Sequence, residues 1–277
     1  MRIAAWLALL SYLCAFNCSR DYPIFEKVGG RFPLTVGNEW RLSGEYRIEF
    51  YRGTPPGFEN PWVKRYSIHW QIVHKDVLDG HRSYVLKNEW YQDGGEGFSL
   101  HWYTDSWEGS SGLYNIGYSG AGAVDPPKLP EGYGFEFAGQ KFSSSEEILD
   151  WIVGVHLSKE DTILRIPPER VLEYPLEVGR EWIAFVGLFG PVRRKVVDRE
   201  PVTTNAGTFY CYEVEVTIEF TELLLREPLI YYEWFSNEGL VKRWICITGQ
   251  WTDPYGNPQG TYEMTDIYLL ENYSIKH

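Results

Sequence analysis

A nine-residue phrase occurs twice in this chain and limits what it can fold into. Phe32-Pro33-Leu34-Thr35-Val36-Gly37-Asn38-Glu39-Trp40 returns as Tyr174-Pro175-Leu176-Glu177-Val178-Gly179-Arg180-Glu181-Trp182, with six of nine positions identical and an aromatic first in both. Each copy opens a stretch of apolar and polar alternation, the period of a half-buried strand, so two versions of one β unit are expected. Pro fixes φ early in the phrase and Gly supplies a conformation that other residues resist. The phrase therefore reads as a turn that delivers its Trp to the first strand.

The two units follow a similar order. In the first, Tyr46, Ile48 and Phe50 alternate, then Tyr66, Ile68, Trp70 and Ile72; Asp79-Gly80 and Glu108-Gly109 are hairpin signals. In the second, turns at Asn205-Ala206-Gly207 and Asn237-Glu238-Gly239 separate long alternating runs. Between them, Val124 to Gly139 is rich in Pro and Gly and reads as a loop. Ser144 and Glu147 then form a capping-box signature before Ile148, Leu149, Trp151, Ile152 and Val155, so one helix is expected there. Pro167-Pro168 reads as the separator from the second copy. The expected fold is all-β with one linker helix, as two related antiparallel units of curved half-barrel or open-sheet type. Its expected divisions are a signal segment at 1–18, a first repeat at 27–140, a linker with the helix at 141–168 and a second repeat at 169–277.

The N-terminus bears on location. Met1-Arg2 precedes an apolar stretch from Ile3 to Phe16, and polarity returns at Asn17-Cys18-Ser19-Arg20-Asp21. A positive start, a short apolar core and a polar return describe a secretory signal, and the stretch is shorter than the about 20 residues of a membrane span. Cys18 stands where a bacterial lipoprotein signal places its lipidated cysteine. Ala15 and Asn17 depart from the usual Leu and Gly or Ala, so ordinary cleavage near residues 17 to 21 is the second route. Lipidation of Cys18 would tether the body to a membrane surface through its acyl chains alone. The expected location is the bacterial envelope, as an outer-membrane-anchored lipoprotein or in the periplasm.

The formal net charge is −12, which argues against a nucleic-acid partner, since phosphate binding needs a basic stripe. It argues equally against electrostatic attachment to anionic lipid. Aromatic residues make up 17 % of the chain. They favour strands and tolerate one wet edge, so a β core with amphipathic girdles accounts for them more simply than a sugar- or lipid-binding surface.

Two cysteines lie beyond the signal region. In the run from Thr208 to Thr221, Tyr210, Tyr212, Val214, Val216 and Ile218 are assigned to one face and Cys211 to the other. In the run from Leu240 to Thr248, Val241, Arg243, Ile245 and Ile247 alternate with Lys242, Trp244 and Cys246. Cys211 and Cys246 would then point the same way, and a disulfide would need their strands to be neighbours. A simple meander places the run from Leu229 to Phe235 between them, which favours free thiols. Without a Cys-x-x-Cys motif, neither a redox nor a zinc role is expected.

The second phrase, Tyr174 to Trp182, resembles the aromatic-Pro-Leu-x-x-Gly-x-x-Trp opening of a group of uncharacterised exported bacterial β proteins and lipoproteins. Val196 to Phe209, with its Ala206-Gly207-Thr208-Phe209, and Glu238-Gly239-Leu240-Val241-Lys242 are similar to two later patterns of that group. The resemblance covers about residues 170 to 270 and, more loosely, 30 to 118. It implies an all-β, envelope-associated protein and supplies no catalytic residues.

A search for chemistry yields little. Gly117-Tyr118-Ser119-Gly120-Ala121 approximates a nucleophile elbow but lacks the helix that must follow it. His69, His74, His81, His101 and His156 do not occur at metal-ligand spacing; His69 and His101 each precede a Trp and could meet across a sheet. Asp105 and Glu108, flanking Trp107 in a turn, are the first choice for a polar site beside an aromatic platform, although a solvated turn explains them as well. No catalytic residue, metal or cofactor is assigned, and binding is favoured over catalysis. The expected partner is an apolar small molecule or an envelope protein; the alternative is a carbohydrate-binding or carbohydrate-active protein using exposed aromatics and carboxylates.

Overall fold

The computed structural model describes residues 31–92, 95–120, 128–145, 147–148, 162–187, 190–220 and 228–276. Its strands are β1 (Glu39–Tyr51), β2 (Trp62–Leu78), β3 (His81–Gln92), β4 (Gly95–Trp107), β5 (Ser110–Ser119), β6 (Gly134–Phe137), β7 (Gln140–Phe142), β8 (Thr162–Glu173), β9 (Glu181–Gly187), β10 (Gly190–Thr204), β11 (Gly207–Ile218), β12 (Leu229–Ser236), β13 (Gly239–Thr252) and β14 (Pro258–Ser274). The all-β expectation holds. Twelve of these strands form one antiparallel sheet in the order β8-β5-β4-β3-β2-β1-β14-β13-β12-β11-β10-β9.

The expected half-barrels are replaced by a single, nearly closed barrel. The reason lies in β1 and β14, which pair from Glu39↔Ser274 to Tyr51↔Thr261. That ladder leaves no free edge between the two meanders. The barrel's seam lies between β8 and β9, where side chains take the place of a ladder. Trp182 Nε1 donates to the Arg170 carbonyl at 2.9 Å, and Arg180 Nη1 lies 3.3 Å from Glu173 Oε1.

Both phrases form the same turn. Gly37 N donates to Ile72 O at 2.7 Å while Ile72 N donates to Asn38 O at 2.9 Å; Gly179 N donates to Val196 O at 2.7 Å while Val196 N donates to Arg180 O at 2.9 Å. Gly37 and Gly179 hold φ of 87° and 91°, a region that disfavours a Cβ. Each turn clips its strand to the next one and buries its Trp: Trp40 and Trp182 are both core residues. The Asp79-Gly80 and Glu108-Gly109 turns have positive φ at both positions, as two-residue hairpins require.

The connecting region differs from its sequence reading. The stretch read as a Pro/Gly loop contains β6, which hairpins with β7 and pairs with the end of β13. Phe135 is thereby fully buried, 5.0 Å from the Tyr262 ring and 6.0 Å from that of Phe50. A sheet of this strand number encloses more space than its wall residues alone fill, and the hairpin occupies one end of it. Pro167 and Pro168 do not separate units; they lie inside β8, where the pairing with β5 skips from Leu164 to Glu169. Proline suits such an unpaired stretch because no ladder donor is lost.

Only the start of the expected helix is described. Ser144 Oγ accepts from Glu147 N at 3.3 Å, and the Glu147 carboxylate accepts from Ser143 N at 2.7 Å, one residue earlier than a standard capping box. Leu149, Trp151, Ile152 and Val155, like the signal segment and Cys18, fall outside the described residues.

Inside the barrel the buried apolar residues form one cluster, with Trp40, Leu42, Leu240, Val241 and Leu270 toward one end and Ile48, Phe50, Phe135, Trp251 and Tyr262 toward the other. On the opposite face of β3 to β5, Val85, Trp102 and Ile116 form a smaller cluster.

Candidate functional site

Between the two ends of that cluster runs a belt of polar and charged side chains. The registers place Tyr66, Gly44, Tyr268, Arg243 and Glu233 side by side across five adjacent strands. Asp266 and Arg194 occupy the neighbouring rung, beside Tyr46 and Val216 respectively. Gly44 makes room at the centre of this belt: a Cβ there would lie 2.3 Å from the Tyr66 ring. Its absence lets Tyr66 lie across β1, donate its hydroxyl to Asp266, and meet Tyr268 edge-on at 5.9 Å.

From there a chain of alternating charge crosses to the seam. Arg243 Nε lies 3.7 Å from Glu233 Oε1; Glu233 Oε2 lies 2.6 Å from Arg194 Nη1. Arg194 Nη2 lies 3.4 Å from Glu169 Oε1, and Glu169 Oε2 lies 3.1 Å from Arg165 Nη1. The guanidinium of Arg243 sits over the Tyr231 and Tyr268 rings, and that of Arg165 over Tyr118 and Phe185.

Burial works against the charge on Arg194, but Glu233, Tyr231 and Glu169 together outweigh it and hold the guanidinium above its ordinary pKa. Burial likewise opposes the charge on Arg243, and its Tyr268, Tyr231 and Glu233 neighbours overcome it. Burial pushes the Asp266 carboxyl up, against the opposing pull of the Tyr66 hydrogen bond and Arg243.

Among the described residues Arg165, Arg194 and Arg243, like Arg199, each keep a buried Nε–H with no hydrogen-bond partner. Such donors are expensive to leave unmade. Arg194 is 4 % exposed, whereas the side chains of Arg243 and Arg165 retain 29 % and 20 %. The belt is thus enclosed yet still has accessible surface.

A second polar line continues on β2 to β5. Trp70 Nε1 donates to Asn88 Oδ1 at 2.9 Å, Asn88 Nδ2 lies 3.4 Å from Ser99 Oγ, and Ser99 Oγ lies 2.9 Å from His101 Nε2. Burial, and secondarily the charge of Arg165, pulls His101 down to about 4. His69 does not meet it: it points outward between Glu39 and Glu89, at 3.3 and 3.5 Å.

Asp105, Trp107 and Glu108 surround two different spaces. Trp107 and Glu108 line a cleft of about 270 Å³ with Leu78, Ile116, Arg165 and Ile166. Asp105 lines a more open one of about 860 Å³ with Asp76, Arg82 and Tyr84. Trp107 contacts His81 at 4.1 Å with a 40° tilt, so the two carboxylates do not converge on a shared platform. The smaller cleft touches Arg165 and so brings the interior charge chain to the surface beside the seam. A near-parallel aromatic pair does occur elsewhere: Tyr232 and Trp244 stand 6.0 Å apart at 17° on the outer face. Tyr232 Oη donates to Glu215 at 3.3 Å.

Cys211 and Cys246 are free. The intervening strand β12 separates them, as in a meander, but they do not share a face. A β-bulge in β10 near Val197 breaks the alternation of β11, so Cys211 joins Phe209, Val214 and Val216 in the interior. There burial raises its thiol to about 12. Among the described residues no group of three or more His, Cys, Asp or Glu could hold a metal ion.

The sequence reading missed the belt. One signal pointed to it: Arg243 shares the phase of Val241, Ile245 and Ile247, and a charge on an apolar face needs an internal partner.

The family model described as DUF3108-like matches residues 189–243. No curated protein matches. Two solved structures are similar to the chain. A protein from Bacteroides fragilis, assigned as exported and with a YmcC-like fold, is 11 % identical, with a TM-score of 0.34, covering 88 % of this chain and 98 % of its own. A protein from Parabacteroides distasonis, assigned as a lipoprotein, is 14 % identical, with a TM-score of 0.30, covering 88 % of this chain and 97 % of its own.

Proposed function

We propose that this chain is an exported protein of the bacterial envelope, tethered through a lipidated Cys18, whose barrel interior binds a small ligand without catalysis. The N-terminal sequence from Met1 to Asp21 supports the export and the tether. The interior belt supports the binding, and one observation carries it: three guanidinium groups inside the barrel each keep an Nε–H that makes no hydrogen bond among the described residues. Aromatic rings pack on two of those groups. This combination of a few convergent polar groups with apolar walls is the usual chemistry of a small-molecule site.

The test is native mass spectrometry of residues 19–277 purified gently from the host envelope. A co-purifying small molecule, released on denaturation, is the expected result. A clean apo mass, unchanged after incubation with an envelope extract, would overturn the reading.

A second reading rests on the outer face. Tyr232 and Trp244 lie near-parallel beside Glu215, an arrangement that suits stacking against a sugar ring. Glycan-array binding that is lost on Trp244→Ala would favour it.

A further inference from the structure

Building on the interior binding site, we propose that its ligand is a small amphiphile with an oxyanion head, a carboxylate or phosphate, held among Arg165, Arg194 and Arg243. The charge arrangement makes the first argument. Along the chain Arg165–Glu169–Arg194–Glu233–Arg243, three cations alternate with two carboxylates. The sequence is cationic at both ends, in a protein whose formal net charge is −12. Asp266, the remaining acid of the belt, hydrogen-bonds Tyr66 and lies beside Arg243. Burial raises its pKa, against the pull of the Tyr66 hydrogen bond and of Arg243.

Hydrogen bonding makes the second. Glu169 and Glu233 engage terminal nitrogens of Arg165 and Arg194 at hydrogen-bond distance, and Glu233 faces the Arg243 Nε only at 3.7 Å, so among the described residues the Nε–H of each arginine has no hydrogen-bond partner. A neutral ligand could fill the space, but an oxyanion satisfies both the donors and the charge. Water could satisfy the donors only.

Access makes the third. Arg165 lines the cleft of about 270 Å³ that also contains Trp107, Ile116, Leu164 and Ile166. The cleft adjoins β8, whose outer edge meets β9 through side chains. An oxyanion arriving there meets Arg165 first, and Glu169 and Arg194 lie next inward. Leu78, Trp107, Ile116, Leu164 and Ile166 of the same cleft supply apolar wall for a short tail.

The experiment compares octanoate, octyl phosphate and octanol by tryptophan fluorescence and calorimetry on residues 19–277. Octanoate or octyl phosphate should bind at least tenfold more tightly than octanol, and which of the two is preferred identifies the head group. Equal binding of octanol would overturn the oxyanion proposal while leaving the carrier reading intact. Binding of none of the three would overturn the proposal, and native mass spectrometry alone then decides the carrier reading.

Two variants give readouts of opposite sign. Arg243→Gln, at the more accessible end of the chain, should weaken the anion at least tenfold and leave octanol unchanged. Glu169→Gln removes the carboxylate that competes for Arg165 and Arg194, and should tighten anion binding several-fold. A purely structural role for the network predicts no tightening. Unchanged anion affinity in both folded variants would overturn the assignment.

Discussion

The amide of Phe32 donates to the Tyr174 hydroxyl at 2.8 Å, joining the first residue of one phrase to the first residue of its repeat. The Arg31 guanidinium lies over the same ring, 5.6 Å from its centre. Burial raises the Tyr174 hydroxyl to about 12, so it stays protonated at physiological pH. The Tyr174→Phe substitution keeps the ring and leaves the Phe32 amide without its acceptor. It should cost about 1–3 kcal/mol, read as a lower urea midpoint with an unchanged slope.

Gly44 tolerates no side chain while Tyr66 lies over it. Gly44→Ala should destabilise by about 1–3 kcal/mol through overpacking. Adding Tyr66→Ala should recover part of that loss, because the clash disappears. A double-mutant cycle measures the coupling, and strictly additive losses would contradict the contact.

Arg194 and Glu233 form the most buried ion pair of the belt, at 2.6 Å. Glu233→Gln leaves Arg194 with Glu169, at 3.4 Å, as its remaining carboxylate and should cost up to about 3–5 kcal/mol. Replacing both by Met and Leu should cost much less, since it removes the unpaired charge. Chemical denaturation of the three variants distinguishes these outcomes.

His101 gives the barrel an acid sensitivity. Its folded-state value of about 4 lies below the ordinary 6.5, so between those values the unfolded chain binds the extra proton. Stability is therefore full above about pH 6.5 and falls as the pH drops toward 4, by about 3 kcal/mol in all. His101→Gln should flatten that part of the stability-versus-pH curve.

The strands, the hairpin turns and the tryptophans that follow each phrase were legible, because period-two alternation and Gly-containing turns are local signals. Closure was not. Whether β1 meets β14 depends on pairing residues more than 200 positions apart, and no local pattern encodes it. The β6–β7 hairpin was hidden because Gly134 and Gly139 give the composition of a loop. Cys211 was assigned to the wrong face because a bulge in the neighbouring strand, invisible in β11 itself, shifts its alternation. Of the site, Arg243 stood out on an apolar face, but Arg194 on β10 becomes a partner of Glu169 on β8 only when the seam closes, whereas Arg165 pairs with Glu169 along its own strand. Asp105 and Glu108 are close in sequence, yet they line separate clefts.

The pairing of β1 with β14 also sets an order of events. The seventeen residues of β14 are made after all the other described strands, and β1, the first of those, has to wait for them. Until they arrive, the first meander has an unpaired edge of thirteen residues, open to any other extended chain. A nascent chain of this topology needs shielding until β14 has been made. Truncation within β14 should accordingly yield an aggregating product rather than a smaller folded one.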